Sequence, residues 1–122
     1  MKPEKMSEAE REVMQLIWAS NGPVTSNEIL ENLRPERSLK KTTVLTFLAR
    51  LTEKGLVKVA KKGRTNHYTA LVGEKEYKKT QSKDFLFKVH DGSIKSFVAA
   101  LCDDSDISRE EIEELKKWLM QR

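Results

Sequence analysis

Apolar residues along this chain recur at steps of three and four, and residues that end helices interrupt them at intervals. Between Lys40 and Gly55, Val44, Leu48 and Leu51 stack on one face of a helix with Leu45 beside them. Thr43, Thr46, Arg50 and Lys54 wind onto roughly the opposite side, a file of short hydroxyls and long cations suited to an anionic surface. The helix starts at Ser38 or at Thr42. It stops at Gly55, where a left-handed residue fits just past the last turn and Lys54 favours the negative end of the helix dipole. A basic file opposite an apolar file is also what an ordinary surface helix shows, so the flanking stretches decide its meaning. Leu56 to Ala60 is a short apolar-rich run, Lys61-Lys62-Gly63-Arg64 a basic turn, and Asn66 to Leu71 alternates again, which predicts a β-hairpin with a cationic tip.

Upstream, Ser7 and Glu10 have the capping-box spacing, Val13, Met14, Ile17 and Trp18 form an apolar stripe, and Asn21-Gly22-Pro23 ends that helix near Ser20. Thr25 and Glu28 repeat the box, with Val24 and Ile29 as a hydrophobic staple, and open a short helix to about Leu33. Arg34-Pro35 breaks it, since the residue before proline is pushed out of helical geometry. Three helices and a hairpin in this order, with the third helix cationic outside, match a winged helix-turn-helix. In that design the third helix enters the major groove while the wing and helix starts hold phosphates.

Beyond Gly73, Tyr77, Phe85, Leu86 and Val89 predict a helix to His90, interrupted by Asp91-Gly92-Ser93. Ile94, Phe97, Val98 and Leu101 follow at helical steps as far as the acidic knot 103–106. Ser108 with Glu111 forms a third capping box, and Ile112, Leu115, Trp118 and Leu119 line one side of the last helix. About 50 residues in three helices make a poor isolated core. These eight apolar residues are therefore assigned to a homodimer seam, the alternative being that they cover the back of the first domain. The fold class expected is mainly α with a small β-hairpin wing: a winged-helix DNA-binding domain over 1–72, then an all-helical dimerisation domain over 73–122.

Charge sharpens this division. The net charge is +4, but residues 1–72 carry 13 basic and 8 acidic groups, whereas residues 73–122 carry 10 and 11. From Arg37 through Arg64 nine Lys or Arg stand against one acid, Glu53. A positive field concentrated on one helix and one hairpin points to a polyanion. The predicted DNA contacts are Lys40, Lys41, Thr42, Thr43, Thr46, Arg50 and Lys54 from the helix, with Lys61, Lys62 and Arg64 from the wing. Thr methyls can meet thymine methyls, hydroxyls can serve either base, and Arg can fork onto guanine or phosphate. A protein-interaction module whose basic surface takes an acidic protein or RNA is the competing reading.

Other chemistry recedes. No apolar run approaches the roughly 20 residues that cross a bilayer, so no membrane insertion is expected. Met1-Lys2-Pro3-Glu4-Lys5 lacks the apolar core of a secretory signal, which predicts a cytoplasmic protein. The single cysteine, Cys102, forms no internal disulfide or cysteine-based zinc site and reads as a packing residue. His67 and His90 have no zinc-ligand spacing, so no metal, cofactor or catalytic residue is expected. Trp18 and Trp118 sit on apolar faces and read as packing residues.

The stretch from Thr43 to Val57, the later Tyr68 before Ala70, the Gly92-Ser93 helix start, Ser108 through Leu119 and the Glu10 to Trp18 run resemble the BlaI/MecI family of bacterial repressors, also called penicillinase repressors. The likeness spans nearly the whole chain. It implies a winged-helix amino domain, a helical dimerisation domain, and binding as a dimer to inverted repeats with TACA-like half-sites, which excludes RNA polymerase from promoters. By position, Thr43, Thr46 and Arg50 match the family's recognition-helix contacts, and Lys41 and Thr42 its helix start. The resemblance further implies that a membrane-bound zinc metalloprotease sensor of β-lactams leads to cleavage within the dimerisation region. Where staphylococcal members carry the cut Asn-Phe bond, this chain has Ala100 and Leu101. The copper-responsive branch ends in paired cysteines, and one cysteine here excludes copper sensing by that route.

Overall fold

The computed structural model describes residues 5–33, 39–103 and 107–122. Its elements run α1 (Glu8–Ala19), α2 (Ser26–Asn32), α3 (Lys41–Glu53), β1 (Val57–Lys62), β2 (Thr65–Ala70), α4 (Glu74–His90), α5 (Ile94–Cys102) and α6 (Arg109–Met120). The mainly helical fold with a two-stranded antiparallel wing is the one predicted. The knot at 104–106 and the Arg34-Pro35 break lie outside the described residues.

Local chemistry sets the helix starts. Ser7 accepts from the Glu10 N–H and Glu10 Oε1 accepts from the Ser7 N–H at 2.8 Å; Thr25 and Glu28 make the same reciprocal pair. At α6, Ser108 accepts from the Glu111 N–H at 3.2 Å. Each cap satisfies donors that the first turn cannot pair internally. Gly55, at φ +78°, takes the left-handed conformation that ends α3 and lets the Leu56 N–H return to the Leu51 carbonyl.

Contacts divide the chain into Met1–Gln81 and Ser82–Arg122. The first unit closes around Val13, Met14, Ile17, Ile29, Val44, Leu48, Leu51, Leu56 and Val57, each at most 3% exposed. Burying side chains of this size stabilises by about 1.5–3 kcal/mol apiece before chain entropy is counted. Because α1 and α2 supply four of these nine residues and α3 three more, α3 is held by its Val44, Leu48, Leu51 stripe with its other side exposed. Val24 adds an isolated β-bridge: its N–H and carbonyl pair with Tyr68 at 3.0 and 2.8 Å, which roots the wing against the α1–α2 connection.

The expected domains meet at residue 72, whereas the first compact unit continues to Gln81. The start of α4 belongs to it through Tyr77, whose hydroxyl accepts from the Met6 N–H at 2.9 Å and whose ring lies 5.8 Å from that of Trp18. Trp18 Nε1 donates to the Val72 carbonyl at 2.9 Å, so this tryptophan packs as expected while satisfying its one polar atom.

In the second unit, none of the described residues is buried. A left-handed Asp91-Gly92 pair, at φ +52° and +81°, turns the chain from α4 into α5. His90 then meets Phe85 and Phe97 edge-on at 5.6 and 5.4 Å, with Nδ1 2.9 Å from Ser96 Oγ.

Candidate nucleic-acid interface

Wound at 3.6 residues per turn, the buried stripe of α3 leaves Lys41, Thr42, Leu45, Thr46, Ala49, Arg50 and Glu53 exposed. Thr42, Thr46 and Arg50 stand on this surface as expected; Thr43 is half-buried at its edge. Thr46 Oγ1 donates to the Thr42 carbonyl at 3.0 Å. That bond holds its rotamer and leaves the hydroxyl free only to accept, as it would from an adenine or cytosine amine. Lys40 caps α3 without a side-chain hydrogen bond, and the first turn carries no acid. In α1 and α2 a side chain occupies that position and an acid follows. The α3 start therefore presents free N–H groups, the positive end of the dipole and the Lys40 and Lys41 ammoniums together.

The wing's turn is shorter than the sequence suggests. Lys62 pairs with Thr65, so Lys61 and Lys62 extend β1 and only Gly63 and Arg64 form the loop. Gly63, at φ +64°, occupies the first loop position, where a two-residue hairpin of this twist demands glycine. Strand alternation then sends Lys61 to the face of Val57, Val59 and Tyr68, and Lys62 to the face of Lys58 and His67. All of Lys58, Lys61, Lys62 and Arg64 are exposed. His67 is half-buried rather than solvent-facing, with Nδ1 enclosed and lacking a described partner. Hydrogen bonds from Thr25 hold the Glu28 carboxyl below its ordinary range, and the charge of His67 adds to the effect.

Lys54 departs from the outward file. Its Nζ lies 2.6 Å from Glu10 Oε1 and 3.0 Å from the Lys5 carbonyl, tying the end of α3 to the start of α1. Glu10 is 1% exposed. Burial alone would raise its carboxyl, but the bonds from Lys54 and Ser7 outweigh that and hold it below the ordinary range. One turn beyond Arg50, the helix has already rotated this side chain toward α1, a rotation that a file drawn along the helix ignores. Leu45 departs the other way: assigned beside the apolar stripe, it is 39% exposed with Ala49 a turn further on. The sequence carried no signal for this, since Leu45 and Ala49 repeat at the same four-residue step as Val44 and Leu48.

On α5 and α6, Leu101 (42% exposed), Leu115 (44%) and Trp118 (52%) are open, as are Ile94, Val98 and Leu119, while Phe97 and Ile112 are half-buried. Among the described residues, Trp118 is exposed and stacks with the Arg122 guanidinium, 4.7 Å from its ring, rather than packing in a core. Cys102 is likewise exposed rather than packed. Ala100 and Leu101 lie exposed in the last turn of α5. No described helix is long and apolar enough to cross a membrane, and no described His, Cys, Asp and Glu residues gather as a metal site.

Residues 6–121 match the penicillinase repressor family. The chain belongs to that family. Within it, the methicillin resistance regulatory protein MecI of Mammaliicoccus sciuri is 35% identical over 94% of this chain and 93% of its own length. The solution structure of the DNA-binding domain of the repressor BlaI superposes with a TM-score of 0.54 at 34% identity, covering 63% of this chain and 92% of that domain. The Bacillus licheniformis BlaI monomer, solved in complex with the blaP half-operator, gives a TM-score of 0.50 at 33% identity, covering 62% and 92%. This penicillinase repressor homologue thus shares the winged-helix fold of DNA-binding repressors, and its relatives are transcriptional repressors rather than enzymes.

Proposed function

We propose that the protein is a cytoplasmic, dimeric repressor that occupies palindromic operators in double-stranded DNA and is inactivated by proteolysis in its dimerisation region after a β-lactam or cell-wall signal. The observation that carries the DNA reading is the exposed face of α3, where Thr42, Thr46 and Arg50 stand beside an uncapped, acid-free helix start and a basic wing. Thr43, Thr46 and Arg50 read bases; Lys40, Lys41, Lys61, Lys62 and Arg64 hold phosphates. Lys54 supports the surface through Glu10 instead of touching DNA.

Residues 1–72 serve as the DNA-binding domain and 73–122 as the dimerisation domain in this reading. Ile94, Phe97, Val98, Leu101, Ile112, Leu115, Trp118 and Leu119 line the seam, supported by a second unit that buries none of its described residues alone. A second copy would give that apolar surface the partner it lacks. Dimerisation links two weak half-site contacts, so the second binds at a high effective concentration. The BlaI monomer on a half-operator illustrates the unlinked state, in which one winged helix meets one half-site. Cutting the Ala100-Leu101 bond, by a route that begins at a membrane-bound metalloprotease sensor, severs α6 from the rest and forfeits the linkage. No cofactor enters this cycle.

The test is a mobility shift of the full chain on a promoter fragment containing an inverted repeat against a scrambled duplex of the same composition. Tighter binding to the inverted repeat at moderate salt, by a factor of roughly 1000 or more, is the expected result. Equal binding to both would favour the interaction module with a basic surface for an acidic protein or RNA.

A further inference from the structure

We propose that Leu45 and Ala49 form an apolar strip that reads the C5-methyl groups of thymines in the major groove, setting sequence preference at positions that Thr46 and Arg50 do not reach. This rests on the DNA-binding reading of α3 above. Among the described residues of α3, Leu45 is the large apolar side chain left exposed, at 39%, while the buried stripe is closed without it. Its four-residue step to Ala49 makes the two neighbours on the helix surface, with Thr42 between them and the remaining outward residues. The outward surface is therefore split lengthwise. One flank, with Thr43, Thr46 and Arg50, offers hydroxyls and a guanidinium; the other offers hydrocarbon.

In the major groove every base edge presents a donor or an acceptor, and the thymine methyl is the apolar group among them. A hydrocarbon flank laid against an edge without that methyl would desolvate polar groups and return nothing, so the strip favours thymine and penalises cytosine at the same site. The hydroxyls and guanidinium of the polar flank read polar atoms instead. The occupant of the strip is thus fixed by complementarity: the cationic surroundings bring DNA to this face, and the apolar strip selects a methyl within it.

The experiment begins with the full chain selecting its preferred duplex from a randomised pool. Each thymine of that duplex is then replaced by deoxyuridine, which removes the methyl and nothing else. The intact protein is expected to lose affinity about fourfold for each methyl in contact with the strip. Leu45→Ala should bind the thymine duplex more weakly and lose its sensitivity at those same positions, whereas Arg50→Ala should keep it. Equal affinity of the intact protein for the thymine and deoxyuridine duplexes overturns the proposal, as does a Leu45→Ala variant with an unchanged pattern of losses. A selected duplex free of thymine overturns it too. A pool that never converges overturns instead the DNA-binding reading on which the strip depends. The deoxyuridine series on the intact protein needs no variant to fold.

Discussion

Replacing Lys54 with methionine tests whether α3 is anchored by charge. The substitution keeps the unbranched stem but leaves the Glu10 carboxylate, 1% exposed, without the ammonium 2.6 Å away. Two groups of Ser7 remain beside it, and Glu10 Oε2 already lacks a described partner. Breaking a fully buried pair by removing one member costs about 3–5 kcal/mol. The Lys54 side chain is 21% exposed, so solvent already screens part of the attraction and a loss of roughly 2–3 kcal/mol is expected. For a unit of this size that lowers the Tm by roughly 10–20 °C. Urea unfolding followed by Trp18 fluorescence, in a Trp118→Phe background, measures it. Adding Glu10→Gln should restore part of the loss, because the stranded charge is then gone. The pH dependence has a definite sign. Since the folded Glu10 carboxyl titrates below its ordinary value of 4.5, the pair's contribution is complete above that value and fades as pH falls through the lowered one. The gap between parent and Lys54→Met should therefore be widest near neutrality and narrow in acid. A variant within about 0.5 kcal/mol of the parent at pH 7, on the scale of an ordinary surface change, would refute the anchor.

Trp118→Asp places a charge in the proposed seam, so size-exclusion elution should shift from dimer to monomer and operator affinity should fall while the first unit stays folded; unchanged elution would move the seam elsewhere. Arg50→Ala should erode the preference for operator over random DNA, whereas Lys62→Ala should weaken both alike and flatten the log–log salt slope by roughly one unit. Parallel losses from the two variants in the salt titration would take base reading away from Arg50.

How legible the protein was depends on the range of the forces involved. Helix starts at Ser7, Thr25 and Ser108, the stop at Gly55 and the turn at Gly63 are written locally, because caps and left-handed residues act within three or four positions. The apolar stripe of α3 was equally legible, since period alone gathers Val44, Leu48 and Leu51 on one face. The basic stretch from Arg37 to Arg64 needs no structure to announce a polyanion partner. What tertiary structure decided is where the borderline positions of α3 went. Lys54 and Arg50 read alike along the chain, yet Glu10, 44 residues away, draws one ammonium inward and leaves the other guanidinium outside. Leu45 and Leu48 are the same residue type three positions apart, and only the arc covered by α1 and α2 determines that one is core and the other surface. Tyr77, likewise, joins the first unit because Met6 and Trp18 are there to receive it. Period and capping specify which elements form; long-range packing, which no short window of sequence contains, specifies which of their side chains remain free to meet another molecule.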